Sequence, residues 1–185
     1  MSVPAASFYF DLSSPHAYLV AEQLPSLLGG TVDWQPVLAR ELAPAETLEA
    51  ISRTDLERRA DAQGLQPVVW PDPFPFDSEL AMHVATFAKT IGRVVSFSLA
   101  AFRQAFAAGA DLSQPDPVLI AAAACEMHPQ AVLRSAGRRS IAQRLEQTTE
   151  QARAAGVTAV PSLRLGDRLL VGSESIDLAL VSLTG

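Results

Sequence analysis

The chain has 185 residues, 49% of them hydrophobic and 18% charged, with a formal net charge of −6 and a pI near 5.0. That composition supplies a packed core, and an acidic balance without clustered Lys or Arg argues against a nucleic-acid partner. No apolar run of about 18 residues marks a membrane span, and no basic, apolar leader precedes the first strand, so a cytoplasmic protein is expected.

The first informative stretch runs from Ser7 to Val20. Phe8 to Leu12 reads as a short apolar strand, followed by a tight turn carrying Ser13 and Ser14, and a helix that starts at Pro15. Proline suits the first helical position, where its missing N–H costs nothing and its φ is already helical. Ser14 then falls at the N-cap, where its side-chain oxygen can bond a free N–H of the first turn. A strand feeding a helix N-terminus builds a place that favours thiolates, carboxylates or phosphates.

The helix is expected to run to Leu28 and to stop at Gly29-Gly30, and 31–38 alternates as a strand with Val32 and Trp34 on one buried face. From Pro44 the pattern turns helical, with Leu48, Ile51, Leu56 and Leu65 among acidic and arginine residues that include Glu46, Glu49, Arg53, Arg58 and Arg59. That charge mixture reads as a solvated face, ended by Gly64. The segment 66–77 holds Pro67, Pro71, Pro73 and Pro75, which forbid a helix. Its Trp70, Phe74 and Phe76 make it an aromatic loop of the kind that often carries function. Asp77 or Ser78 should cap a helix through Lys89.

Three further helices are expected near 94–108, 116–127 and 129–136, the first with Val95, Leu99, Phe102 and Phe106 as its apolar stripe. Residues 138–155 form a long amphipathic helix closed by Gly156. Residues 161–165 and 168–171 pair across a Gly166-Asp167 turn, and 176–183 closes as a helix. The lone cysteine, Cys125, sits in an alanine-rich stretch; free cysteines are mostly buried, so it is read as packing. Dithiol exchange needs two thiols, which rules out disulfide oxidoreductase chemistry within one chain. His83 and His128 are isolated helical histidines, and no spacing of Cys, His and carboxylates reads as a metal site.

Two segments carry a resemblance. Ser14-Pro15-His16-Ala17 stands where DsbA-like oxidoreductases have Cys-Pro-His-Cys, and Phe-Asp-Leu-Ser-Ser-Pro followed by Ala17-Tyr18-Leu19 is still more similar to 2-hydroxychromene-2-carboxylate isomerases and kappa-class glutathione transferases. The downstream Gly156-Val157-Thr158-Ala159-Val160-Pro161-Ser162 resembles their Gly-Val-x-Gly-Val-Pro-Thr segment, in which the proline is cis and faces the helix N-terminus. The resemblance implies an α/β, thioredoxin-like (DsbA-like) fold with an all-helical insertion. The thioredoxin-like domain would be 1–39 plus 138–185, and the insertion 40–137, sitting over the Ser14 turn. An interdomain cleft of that kind is where small ligands usually bind.

The resemblance also implies chemistry. It points to a thiol-dependent isomerase that turns an aromatic 2-oxo acid from cis to trans through a reversible thiol adduct. Glutathione, or another low-molecular-weight thiol, is the cofactor, and the partner is a small-molecule aromatic substrate; a homodimer is left open. Ser14 would hold the thiol, with Val160, Pro161, Ser173 and Glu174 completing the thiol site. Where the family reads Trp/Phe-Gly-x-Asp-Arg, this chain has Val171-Gly172-Ser173-Glu174-Ser175, so the carboxylate is Glu174 and the arginine is replaced by Ser175. His16 is either an idle first-turn histidine or catalytic. Trp70, Phe74, Phe76 and Asp77, in a loop that resembles the family's Phe-Pro-x-Asn-Thr stretch, would meet the substrate, and Arg40 or Lys89 would meet its carboxylate. A kappa-type glutathione transferase and a non-catalytic DsbA-fold binding protein are the alternatives.

Overall fold

A computed structural model describes residues 6–29, 32–42 and 52–184. Among them the elements follow as β1 (Ala6–Phe10), α1 (Pro15–Leu28), β2 (Val32–Pro36), α2 (Ala39–Leu42), α3 (Arg53–Ala62), α4 (Glu79–Thr90), α5 (Val94–Phe106), α6 (Pro115–Ala124), α7 (Pro129–Ala136), α8 (Arg139–Ala154), β3 (Ser162–Leu165), β4 (Arg168–Val171) and α9 (Ser173–Thr184). The four strands form one sheet in the order β2-β1-β3-β4. β1 pairs parallel to β2, with Phe8 beside Trp34, and antiparallel to β3, with Ala6 beside Leu165. β3 and β4 close as the expected hairpin.

Successive strand residues point to opposite faces, and β1 uses both. Phe8 and Phe10 turn one way, where their rings meet Trp34 at 5.0 and 5.5 Å and Phe102 of α5 lies 6.0 Å from Phe10. Tyr9 turns the other way, onto Val37, Ala152 of α8 and Val157. The inserted helices therefore share the core of the sheet, and Phe8, Leu19, Met82, Phe97 and Phe102 belong to one buried cluster.

β1 ends at Phe10, two residues before the expected Leu12, for a polar reason. Buried Asp11 accepts from the Ser13 N–H and hydroxyl, both at 2.9 Å, and from the Ala39 N–H at 2.8 Å. Those bonds turn the chain, and the Leu12 N–H reaches the Met82 sulfur at 3.2 Å. β2 likewise spans only Val32–Pro36. On α5 the buried side is Phe97, Ala101, Phe102, Ala105 and Phe106, whereas Val95 of the expected stripe is exposed, so the buried face is turned roughly a quarter turn from the expected one. α9 begins at Ser173, ahead of the expected Ile176. Gly172 makes this start possible, because its φ of +85° is one that residues with side chains rarely adopt. Cys125 is buried, in line with a packing role. Gly30 and Thr31, and the expected helical residues Glu46, Leu48, Glu49 and Ile51, lie outside the described residues.

Candidate functional site

α1 brings the first two residues of the site. Ser14 caps the helix, its Oγ accepting from the Ala17 N–H at 3.1 Å. Ser14 is 3% exposed, and among the described residues no protein atom accepts its hydroxyl proton. His16, in the first turn, is half-buried and lines a cavity of about 390 Å³. The opposite wall of this cavity is Val160-Pro161 and the β4–α9 turn through Ser173 and Glu174.

The Val160–Pro161 peptide bond is cis. Among the described residues neither the N–H nor the carbonyl oxygen of Val160 has a hydrogen-bond partner, so both stay available to a ligand backbone. The Pro161 carbonyl is engaged instead, accepting from the Gly172 N–H at 2.9 Å, which ties this turn to the start of α9. Glu174 stands exposed in the first turn of α9. Ser175, at the place of the family's arginine, turns its hydroxyl to the carbonyl oxygens of Val171 and Gly172 at 2.6 and 3.0 Å.

A cation comes to this cavity from elsewhere. Arg59 of α3, expected on a solvated face, is only 12% exposed and forms part of the cavity wall. It donates to Asp177 of α9 at 2.6 Å and to the Ser173 hydroxyl at 3.0 Å, and approaches His16 Nδ1 at 3.4 Å. Gln23 of α1 supports the same carboxylate from behind at 3.3 Å. Burial, and then the Arg59 guanidinium, hold the His16 pKa below its ordinary value of 6.5 against the opposing pull of Asp55, Glu174 and Asp177.

The aromatic loop is organised differently from the residues expected at the thiol site. Trp70, Phe74 and Phe76 pack edge-on or tilted against one another and against Phe106, at ring separations of 5.0 to 6.5 Å. Trp70 donates to Glu57 at 2.7 Å and carries the Arg53 guanidinium 4.8 Å from its ring. Phe76 and Asp77 line a second cavity of about 320 Å³, together with Asp11, Ser13 and Arg40; Trp70 and Phe74 line neither. Arg40 is engaged by Glu79 at 2.8 Å and Asp77 at 3.4 Å, and Lys89 by Asp33 at 2.6 Å and the Trp34 carbonyl at 2.8 Å. Asp77, through Oδ1, accepts the Glu79 N–H at 2.9 Å and so provides the cap that Ser78 does not.

The structure thus brings His16, Val160, Pro161, Ser173 and Glu174 to one cavity, with Ser14 buried two residues before His16. It adds Arg59, Asp55 and Asp177, which the sequence did not single out. Among the described residues, no group of His, Cys, Asp and Glu is placed to hold a metal ion. No helix among them is long and apolar enough to cross a membrane.

Comparison with solved structures finds this fold in several settings. A 2-hydroxychromene-2-carboxylate isomerase superposes with a TM-score of 0.83 at 18% identity, over 97% of this chain and 94% of that one. A cytosolic disulfide reductase, DsbM from Pseudomonas aeruginosa, solved with glutathione, gives a TM-score of 0.67 at 14% identity, over 97% of both chains. A periplasmic thioredoxin-like protein from Salmonella enterica serovar Typhimurium gives 0.59 at 13% identity, over 97% and 84%. No curated protein matches the sequence significantly. The family model of the DSBA-like thioredoxin domain matches residues 6–183, and the chain belongs to that family.

Proposed function

We propose that this protein is a glutathione-dependent isomerase of a small aromatic 2-oxo acid, similar in activity to 2-hydroxychromene-2-carboxylate isomerase. The observation that carries the reading is the cavity where the first turn of α1, the unpaired backbone of Val160 and the exposed carboxylate of Glu174 converge. Its volume of about 390 Å³ falls in the range of small-ligand sites.

The residues present fit a tripeptide thiol. Val160 offers one N–H and one C=O in the manner of a strand edge. Glu174 offers a carboxylate for a ligand amine, and the Ser14 hydroxyl retains a proton to donate. The N-terminus of α1, where among the described residues the His16 N–H is left unpaired, favours negative charge beside it. When bound, the thiol supplies a nucleophile that adds reversibly to a conjugated carbon, letting the neighbouring bond rotate. The chain's own part is to keep the sulfur ionised and to hold the aromatic acid against apolar walls. Phe76, with Asp77 at its edge, offers such a wall in the second cavity, and Trp70 and Phe74 back it through Phe106. A cytoplasmic location suits such a thiol. The burial and cap bond of Ser14 favour a second reading, in which the turn is structural and the protein binds a ligand without turnover.

The test combines glutathione binding with turnover of a 2-oxo acid conjugated to an aryl ring. Binding to the native state raises the melting temperature by mass action, and isomerisation should require glutathione. Binding without turnover selects the binding protein, and conjugation in place of isomerisation selects the transferase. Absence of binding by any thiol removes the proposal.

A further inference from the structure

We infer that Arg59 and Ser173 hold His16 as its neutral Nε2–H tautomer, so that the imidazole offers the cavity a proton donor and not a base. The inference deepens the isomerase reading by giving His16 its role, but the state of the ring can be measured without any ligand.

The argument rests on which groups can only donate. A guanidinium has five N–H donors and no acceptor, and it stays protonated in proteins. Arg59 directs one N–H at His16 Nδ1 across 3.4 Å, so Nδ1 must present a lone pair. The same guanidinium nitrogen donates to Ser173 Oγ at 3.0 Å, and Ser173 Oγ stands 3.3 Å from Nδ1. With the cation on its oxygen, the Ser173 proton is free to turn to Nδ1, whose one lone pair it then shares with the Arg59 N–H. A proton on Nδ1 would point at the donor-only guanidinium and leave Ser173 Oγ as its one acceptor, so Arg59 is the group that decides between the tautomers.

Two of the three carboxylates near the ring are engaged elsewhere. On α3, Asp55 is paired to Arg58 at 2.6 Å; on α9, Asp177 is taken by Arg59 at 2.6 Å, and Glu174 is exposed. Among the described residues no carboxylate is within hydrogen-bond reach of the imidazole. Partial burial and the adjacent Arg59 then disfavour an imidazolium. The single remaining proton sits on Nε2, which has no protein partner among the described residues. An N–H in a half-buried cavity wall favours an anionic oxygen or sulfur. Asp177 orients Arg59, and Arg59 with Ser173 orients His16, so these three are positioning residues.

The experiment is a long-range 1H–15N correlation spectrum of the 15N-histidine-labelled protein near neutral pH. The chain has 3 histidines, and His16→Gln identifies the relevant one. The expected pattern is a protonated Nε2 and an unprotonated Nδ1, with a titration midpoint below about 6.5. In Arg59→Met the midpoint should rise, because a cation leaves and Asp177 is unmasked. Should that variant fail to fold, Ser173→Ala leaves the Arg59–Asp177 pair in place and should move the Nδ1 resonance while the midpoint stays low. A protonated Nδ1, an imidazolium at neutral pH, or an Nδ1 resonance indifferent to both variants overturns the inference. Added glutathione should then shift the Nε2–H resonance, whereas the ring's state before the addition already decides the tautomer.

Discussion

Arg59 and Asp177 stand 118 residues apart in the chain and meet at 2.6 Å, with side chains 12% and 30% exposed. Their contact fastens α3, from the helical insertion, to α9, from the thioredoxin-like part, at the wall of the cavity beside His16. Removing one partner of such a pair costs more than it does at an exposed pair and less than where a fully buried charge is left behind.

Replacing Arg59 with Met should therefore cost about 1–3 kcal/mol, the range for hydrogen bonds to charged groups and for the partner left unpaired. Urea unfolding of Arg59→Met, Asp177→Leu and the double variant checks it. Strictly additive losses would mean that the two residues do not support each other.

Phe102 joins the insertion to the sheet, with its ring 6.0 Å from Phe10 and 6.1 Å from Tyr18. Phe102→Ala should cost about 3–5 kcal/mol. Because the buried cluster runs through both parts, fluorescence and circular dichroism should report one shared unfolding transition. Two separated transitions would show that the insertion keeps a core of its own.

Ser14→Ala should cost about 1 kcal/mol through loss of the cap. If the hydroxyl also donates to a bound thiolate, a charge-assisted bond of about 1.5–3 kcal/mol disappears. The bound thiol's pKa then rises by roughly one to two, and activity lost at neutral pH returns in part at alkaline pH. A pH–rate profile with an unmoved midpoint assigns Ser14 to capping alone.

His16 gives stability a pH dependence of definite sign. Its folded pKa is lowered, mainly by burial and then by Arg59. The unfolded chain, with an ordinary value of about 6.5, binds the proton first as pH falls. The stability is fully present above that value and is lost progressively as pH drops through the folded pKa. His16→Gln should flatten this part of the curve in chemical denaturation between pH 7 and pH 5. An unchanged slope would place the dependence on other groups.

Much of this was readable from local chemistry. Ser14 and Pro15 announced the helix start, Gly166-Asp167 the hairpin, and the four prolines of 66–77 the loop. Arg59 was not readable, and its neighbour shows why. Arg58 and Arg59 are the same residue type one step apart, but a step along a helix turns the side chain by roughly 100°. Arg58 faces water at 70% exposure and binds Asp55, while Arg59 enters the cavity. Only the position of α9, fixed by packing with α1, distinguishes them. The displaced stripe on α5 has a related cause, since alanines at 101 and 105 complete a buried face that large side chains alone do not outline. Asp11 ended β1 early through a bond to Ala39, a partner 28 residues away.

The interior place of β1 sets an order for the chain's assembly. Its partner β2 follows within a few turns of chain, but its other neighbour, β3, arrives only after 150 residues have been made. Until then one edge of β1 stays open, a template for wrong pairing. Closing so long a loop from a disordered chain costs about 4 kcal/mol beyond the constant term. Helices build from near neighbours and form quickly; once formed, α4 to α8 bring Thr149 to the Leu38 N–H at 3.0 Å. In the folded chain the insertion, through α8 that follows it, thus also holds β3 against the open edge of β1.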